Sequence, residues 1–216
     1  MRRGLALALL PWLVACSGLR SSAPPLQSYV LRAAPPAQRL ARAAAPRVTL
    51  RVLYPTTAPG LDSEHIMLLR SDRRLSYYAA SRWAARVPTV VEQLAVDTLR
   101  NTGAWAAVED SRGTWSADYF LQLDIRRFEA DDTEAGAPPL VHVTLDCTVG
   151  RRARDEEVIA SFVAERAVSA SENRLGAVVA AFEQAVGGAL ADAAVQASAA
   201  IDEKGVQAQA ARKPAP

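Results

Sequence analysis

The chain has 216 residues, 25 of them basic and 23 acidic, a formal net charge of +2 at pH 7. Loss of the first fifteen residues, argued next, would remove Arg2 and Arg3 and balance the two signs, which excludes a nucleic-acid binder working through phosphate electrostatics. Two cysteines are too few for a disulfide framework, and lysine occurs only at Lys204 and Lys213, so arginine supplies nearly all the positive charge.

Arg2 and Arg3 precede an apolar run from Leu5 to Ala15, broken only by Pro11. As a helix this run would span roughly 17 Å, against roughly 30 Å for the hydrocarbon core of a bilayer. It also lacks the polar face of a core helix. A basic head, a short apolar body and small residues at its end make residues 1–15 a secretory signal peptide. The end, Leu13-Val14-Ala15-Cys16, resembles the bacterial lipoprotein box. Cleavage between Ala15 and Cys16 would leave a cysteine carrying diacylglycerol on sulfur and an acyl chain on nitrogen. Two or three chains anchor stably where one holds only marginally. Ser17, where Asp would favour inner-membrane retention, points to the periplasmic face of the outer membrane. No further cofactor is expected.

Residues 16–46 are rich in Ser, Ala, Pro and Arg and read as a lipidated N-terminus followed by a linker, with a short edge strand at Ser28-Tyr29-Val30-Leu31. One domain, 47–201, follows, and 202–216 reads as a polar, disordered tail. Within the domain, 48–54 alternates as a strand, and 55–64 carries the Pro, Gly and Asp of a loop. Ile66–Leu69 and Leu75–Tyr78 flank the polar turn 71–74 as a hairpin. Val87, Val91, Leu94, Ala95 and Thr98 then share one helix face, with Pro88 at the start and Asn101-Thr102-Gly103 as the stop.

After a short strand, Trp105–Glu109, three long strands succeed one another. Leu121, Leu123 and Ile125 alternate with Gln122, Asp124 and Arg126; Val141, Val143, Leu145, Cys147 and Val149 alternate with His142, Thr144, Asp146 and Thr148; Val158–Val168 is the third. Polar connectors make this an antiparallel meander with one wet face. Leu175, Val178, Val179, Phe182, Val186 and Leu190 mark a closing helix over about 172–198. The expected fold is α+β: an antiparallel sheet with a long three-strand meander and two helices packed on one face.

Active-site chemistry finds no footing in these residues. Cys147 sits on the apolar side of its strand, with only His65 and His142 as imidazoles, and His142 lies on the opposite face. Asp131, Asp132 and Glu134 lack EF-hand spacing, Glu156 and Glu157 lack a partner carboxylate, and the histidines belong to no Cys/His/Asp cluster for metal. No G-x-S-x-G and no G-x-x-x-x-G-K-[ST] is present. The stretch Leu75–Pro88 instead gathers Tyr77, Tyr78 and Trp83 among Arg74, Arg82 and Arg86, residue types enriched at interface hot spots. Tyr77, Tyr78, Arg82 and Trp83 are the interface candidates, with Trp83 also fitted to clamp the first helix from the core.

The order Ile66, Leu69, Arg70, Leu75-Ser76-Tyr77-Tyr78, Arg82-Trp83, Pro88, Leu94, Gly103 and Val108, flanked by Tyr29-Val30-Leu31 and "ADYFLQLDIRRFEAD" (117–131), resembles the ABC-type transport auxiliary lipoprotein component family. That family includes the lipoprotein of the paraquat-inducible transport system. The resemblance implies a non-catalytic accessory whose partners are an ABC permease, its ATPase and a substrate-binding protein with an MCE domain. It implies transport of lipids or other hydrophobic molecules across the periplasm, and it is compatible with a homo-oligomer. A stand-alone lipid carrier and a structural envelope lipoprotein remain the alternatives.

Overall fold

The computed structural model describes residues 25–33, 48–134, 136–151 and 157–212. In chain order they form β1 (Gln27–Tyr29), β2 (Thr49–Val52), β3 (Thr56–Thr57), β4 (His65–Arg70), β5 (Leu75–Trp83) and α1 (Val87–Thr102). There follow β6 (Ala107–Glu109), β7 (Tyr119–Asp132), β8 (Leu140–Arg151), β9 (Glu157–Ser169) and α2 (Leu175–Arg212). The fold is α+β, a nine-stranded sheet with two helices that also pack on each other.

The meander β7–β8–β9 is antiparallel throughout. Leu121, Leu123 and Ile125 of β7 and Val141, Val143, Leu145, Cys147 and Val149 of β8 are buried, while His142, Thr144 and Thr148 stay half-exposed and Asp146 is exposed. A register shift between Ile125 and Arg127 then inserts one residue, so Phe128 and Ala130 take over the inward positions.

The sheet is mixed rather than antiparallel at every pairing. The other edge of β7 takes β2, β3 and β4 in turn, all parallel: Leu50 opposite Tyr119, Thr56 opposite Asp124, Leu68 opposite Ala130. Parallel neighbours require a crossover, and the segment through β5, α1 and β6 supplies it. Beyond β2 lies β6, also parallel; beyond β4 come β5 and then β1. Thr56 and Thr57, inside the expected loop, pair because Thr56 Oγ1 also donates to Asp124 Oδ1 at 3.1 Å.

The first helix begins with Pro88 in its opening turn and ends at Gly103, whose φ of 68° only glycine adopts without strain. Arg100 in its last turn donates twice to the Val108 carbonyl, at 3.0 and 2.8 Å, and so ties α1 to β6. The second helix lays Val178, Phe182, Val186, Leu190 and a run of alanines on the sheet, the small residues letting it approach closely. Trp83, Phe128 and Phe182 meet at the centre, with ring centroids 5.1–6.0 Å apart.

That helix runs past the expected end near Ser198, so residues 202–212, whose composition suggests a disordered tail, are helical. Ile201 is buried and Lys204 pairs with Glu157 of β9 at 2.6 Å, which secures the added turns. The segment Leu175–Gly205 is long and apolar enough to cross a membrane, yet half of its most apolar window is buried within the domain. The edge strand expected at 28–31 forms at 27–29, inside the stretch read as linker, and lies parallel on β5. Ala15, Cys16 and the linker residues 17–24 and 34–46 lie outside the described residues, as do 213–216.

Candidate docking surface

The aromatic and arginine residues of Leu75–Pro88 lie on β5 and the turn into α1, and a backbone irregularity sorts them. His65 pairs with Arg82 and Met67 with Tyr77, so one residue of β4 faces four of β5. Ala80 takes up the excess with φ 52°, a conformation costly for a non-glycine residue, and Ser81 Oγ donates to the Tyr78 carbonyl at 2.8 Å. This bulge rotates neighbouring side chains apart. Tyr77 stands 54% exposed and stacks on His65, centroids 4.3 Å apart. Tyr78 turns partly inward, its O–H enclosed without a hydrogen-bond partner, and burial pushes its pKa up to about 12. Trp83 is only 1% exposed and belongs to the core, so it offers nothing to a partner.

Arg82 remains at the surface but is already engaged. Its Nη1 meets Glu64 Oε2 at 2.9 Å, and its Nε donates to Ser28 Oγ of β1 at 3.2 Å. Beside it, Arg86 holds Asp62 through Nε–H to Oδ1 at 2.8 Å and through Nη2. These side chains, with Leu26 at the rim, line an open cleft of about 480 Å³. Internally paired charges, a stacked His–Tyr pair and an exposed leucine suit contact with another macromolecule. Ser28, Asp62 and Glu64 escaped the sequence reading because only the fold brings Ser28 and Glu64 to Arg82 and Asp62 to Arg86.

The other candidates fall elsewhere. Cys147 is 1% exposed, and burial pushes its thiol up to about 12. A non-lipidated form of the chain lacking residues 1–16 should therefore leave an aromatic disulfide reagent unreacted at pH 8 and consume one equivalent in denaturant; prompt reaction of the native protein would contradict this packing. His142 sits on the other sheet face, 4.0 Å from Asp131, and burial and then Arg127 lower its pKa. Asp131 accepts the Thr133 N–H at 2.9 Å, Glu157 is taken by Lys204 and Arg151, and Glu156 lies outside the described residues. Among the described residues no group of three or more His, Cys, Asp or Glu is arranged to hold a metal.

In structure the chain is similar to a DUF330 protein from Xanthomonas campestris, with a TM-score of 0.70 and 24% identity over 85% of this chain and 99% of that one. An uncharacterized protein aligns at a TM-score of 0.61 and 13% identity, over 82% and 99%. At such identities the likeness is one of fold. No curated protein matches the chain. A family model described as ABC-type transport auxiliary lipoprotein component matches residues 29–194. The match runs from β1 through the sheet and α1 to the middle of α2, and on that extent the chain belongs to the ABC-type transport auxiliary lipoprotein component family.

Proposed function

We propose that this protein is the non-catalytic outer-membrane lipoprotein of an ABC transporter whose substrate-binding protein carries an MCE domain, moving lipids or other hydrophobic molecules between the inner and outer membranes. The family assignment over 29–194 carries the reading, and the signal-like leader ending at Cys16 supports it. Cys16 would bear the diacylglycerol and N-acyl chains; the permease and ATPase would supply the energy. A carrier would need room for an acyl chain between sheet and helices. That layer is occupied by the Trp83–Phe128–Phe182 cluster and its aliphatic neighbours, which favours the accessory reading over the carrier.

The docking of β1 shortens the membrane tether. Only residues 17–26 separate Cys16 from Gln27, at most roughly 36 Å when fully extended, so the β1–β5 edge would stay close to the anchoring membrane.

Affinity purification of the full-length lipoprotein from gently solubilised envelopes tests the proposal. Co-recovery of an MCE-domain protein with a permease and ATPase is the expected result; the lipoprotein alone, or phospholipid alone, would overturn it. On the cleft, Arg82→Glu should reduce that recovery severalfold. Because the Arg82–Glu64 pair is exposed, the same change should cost at most about 1 kcal/mol of stability. Equal losses of binding and of melting temperature would make Arg82 a clamp for β1 and nothing more.

A further inference from the structure

The tether joins the domain along a narrow strip. β1 lies on β5 over three parallel pairs, Gln27 with Ser81, Ser28 with Arg82 and Tyr29 with Trp83. Parallel pairing is the weaker kind per residue, and here it is short. The Tyr29 carbonyl accepts the Ala84 N–H at 2.8 Å, and the Arg32 N–H donates to Glu183 of α2 at 3.0 Å. Of residues 25–33 only Leu31 is buried, while Leu26 and Val30 stand 58% and 63% exposed. Two open spaces adjoin the strip. One is the cleft at Arg82, rimmed by Leu26; the other is a groove of about 450 Å³ lined by Val30 and Arg32 and by Gln93 and Asp97 of α1.

The fold beneath does not lean on β1. Trp83, opposite its last residue, donates its backbone N–H to the Glu64 carbonyl at 2.7 Å and packs its ring on Phe128 and Phe182. β5 keeps its pairing with β4, and Arg82 keeps Glu64 when Ser28 departs. Detachment of β1 therefore gives up one buried leucine, the partly buried Tyr29 and Ala33, and a few hydrogen bonds. That is a local opening, well short of global unfolding. Its consequence is reach. With β1 docked, residues 17–26 separate Cys16 from the domain; with β1 free, residues 17–48 do. The fully extended limit rises from roughly 36 Å to roughly 115 Å.

We infer that β1 is a releasable clasp on the tether, giving the domain two working distances from the membrane that holds Cys16. This rests on the lipid-anchor reading above. Clasped, the domain is confined near that membrane. Released, it reaches a partner held well beyond the shorter limit, and such a partner binds only the released form. The apparent affinity for it is then scaled by the fraction of molecules released.

Amide hydrogen exchange of the full-length lipoprotein in detergent micelles tests the release. The Ala84 amide, which bonds to β1, should exchange at least a hundredfold faster than the neighbouring Trp83 amide, after correction for intrinsic rates. Equal protection would overturn the inference, because β1 would then leave only with the whole fold. Spin labels at Val30→Cys and Gln93→Cys, across the groove, read the same event as a distance. With Cys16 acylated and Cys147 buried, only the introduced cysteines take the label. Leu31→Asp should convert one narrow, short distance into a broad distribution reaching longer values, with Trp83 still protected. A distance that stays narrow, or loss of Trp83 protection along with it, would overturn the clasp. Recovery of the wild-type chain in the soluble periplasmic fraction would overturn the anchor reading, and the two distances with it, whatever the exchange rates.

Discussion

Replacing Phe182 with alanine should lower the melting temperature by roughly 6–20 °C, the equivalent of about 3–5 kcal/mol for a domain of this size. Phe182 is fully buried and meets both Trp83 and Phe128 at 5.1 Å, so one truncation removes two ring contacts and leaves a cavity between α2 and the sheet. The rings come from α2 and from β5 and β7, two strands that β4 keeps apart, so the cluster ties three separate elements together. Phe120→Ala is the internal control: that ring is half-exposed on the opposite face, where it lies over Gly150. Thermal unfolding of both variants decides the matter. Equal losses would mean that the three-ring cluster does not hold α2 in place.

The second large effect concerns location rather than stability. Cys16→Ala should move the protein from the membrane fraction to the soluble periplasmic fraction while leaving its melting temperature unchanged. Each buried methylene of a lipid chain contributes about 0.8 kcal/mol, so loss of two or three chains removes far more than any surface contact could restore. The described fold begins at residue 25, and its contacts with β5 and α2 involve Leu31 and the Arg32 N–H, which donates to Glu183 at 3.0 Å. None of these depends on Cys16. Retention of the variant in washed membranes would show that something other than the lipid holds the chain there.

How much of this was legible beforehand depended on which physical signal each element carries. Alternation of apolar and polar residues showed the inward face of β7 and β8, and Pro88 with Gly103 bracketed α1, because burial and backbone freedom are local properties. Strand neighbours are not local. The pattern of residues 48–54 states which side is buried but not that Leu50 lies beside Tyr119, so the parallel half of the sheet was invisible. The stretch after Ile201 contains Ala, Gln, Glu and Lys, good helix formers that also populate solvated tails, and the Lys204–Glu157 pair that settles it is tertiary.

The same division runs through the candidate surface. Composition picked out Tyr77, Tyr78, Arg82 and Trp83, but the bulge at Ala80 decides their fate: ordinary alternation leaves Tyr77 facing water, and the shift in parity after Ala80 turns Arg82 outward and Trp83 into the core.

The placement of β7 sets an order on how the chain comes together. The hairpins of the meander close over short turns, whereas Thr49 and Asp118, joined across β2 and β7, are 69 positions apart. Enclosing so long a stretch costs about 2 kcal/mol more than closing a turn of under ten residues. A chain that emerges N-terminus first, from ribosome or translocon, therefore carries β2, β3 and β4 for some seventy residues before their common partner arrives. Through that interval the first half has the β4–β5 hairpin and the short β1–β5 and β2–β6 pairings, none of which covers the β7-facing edges of β2, β3 and β4, and those edges stand open to whatever else the compartment contains.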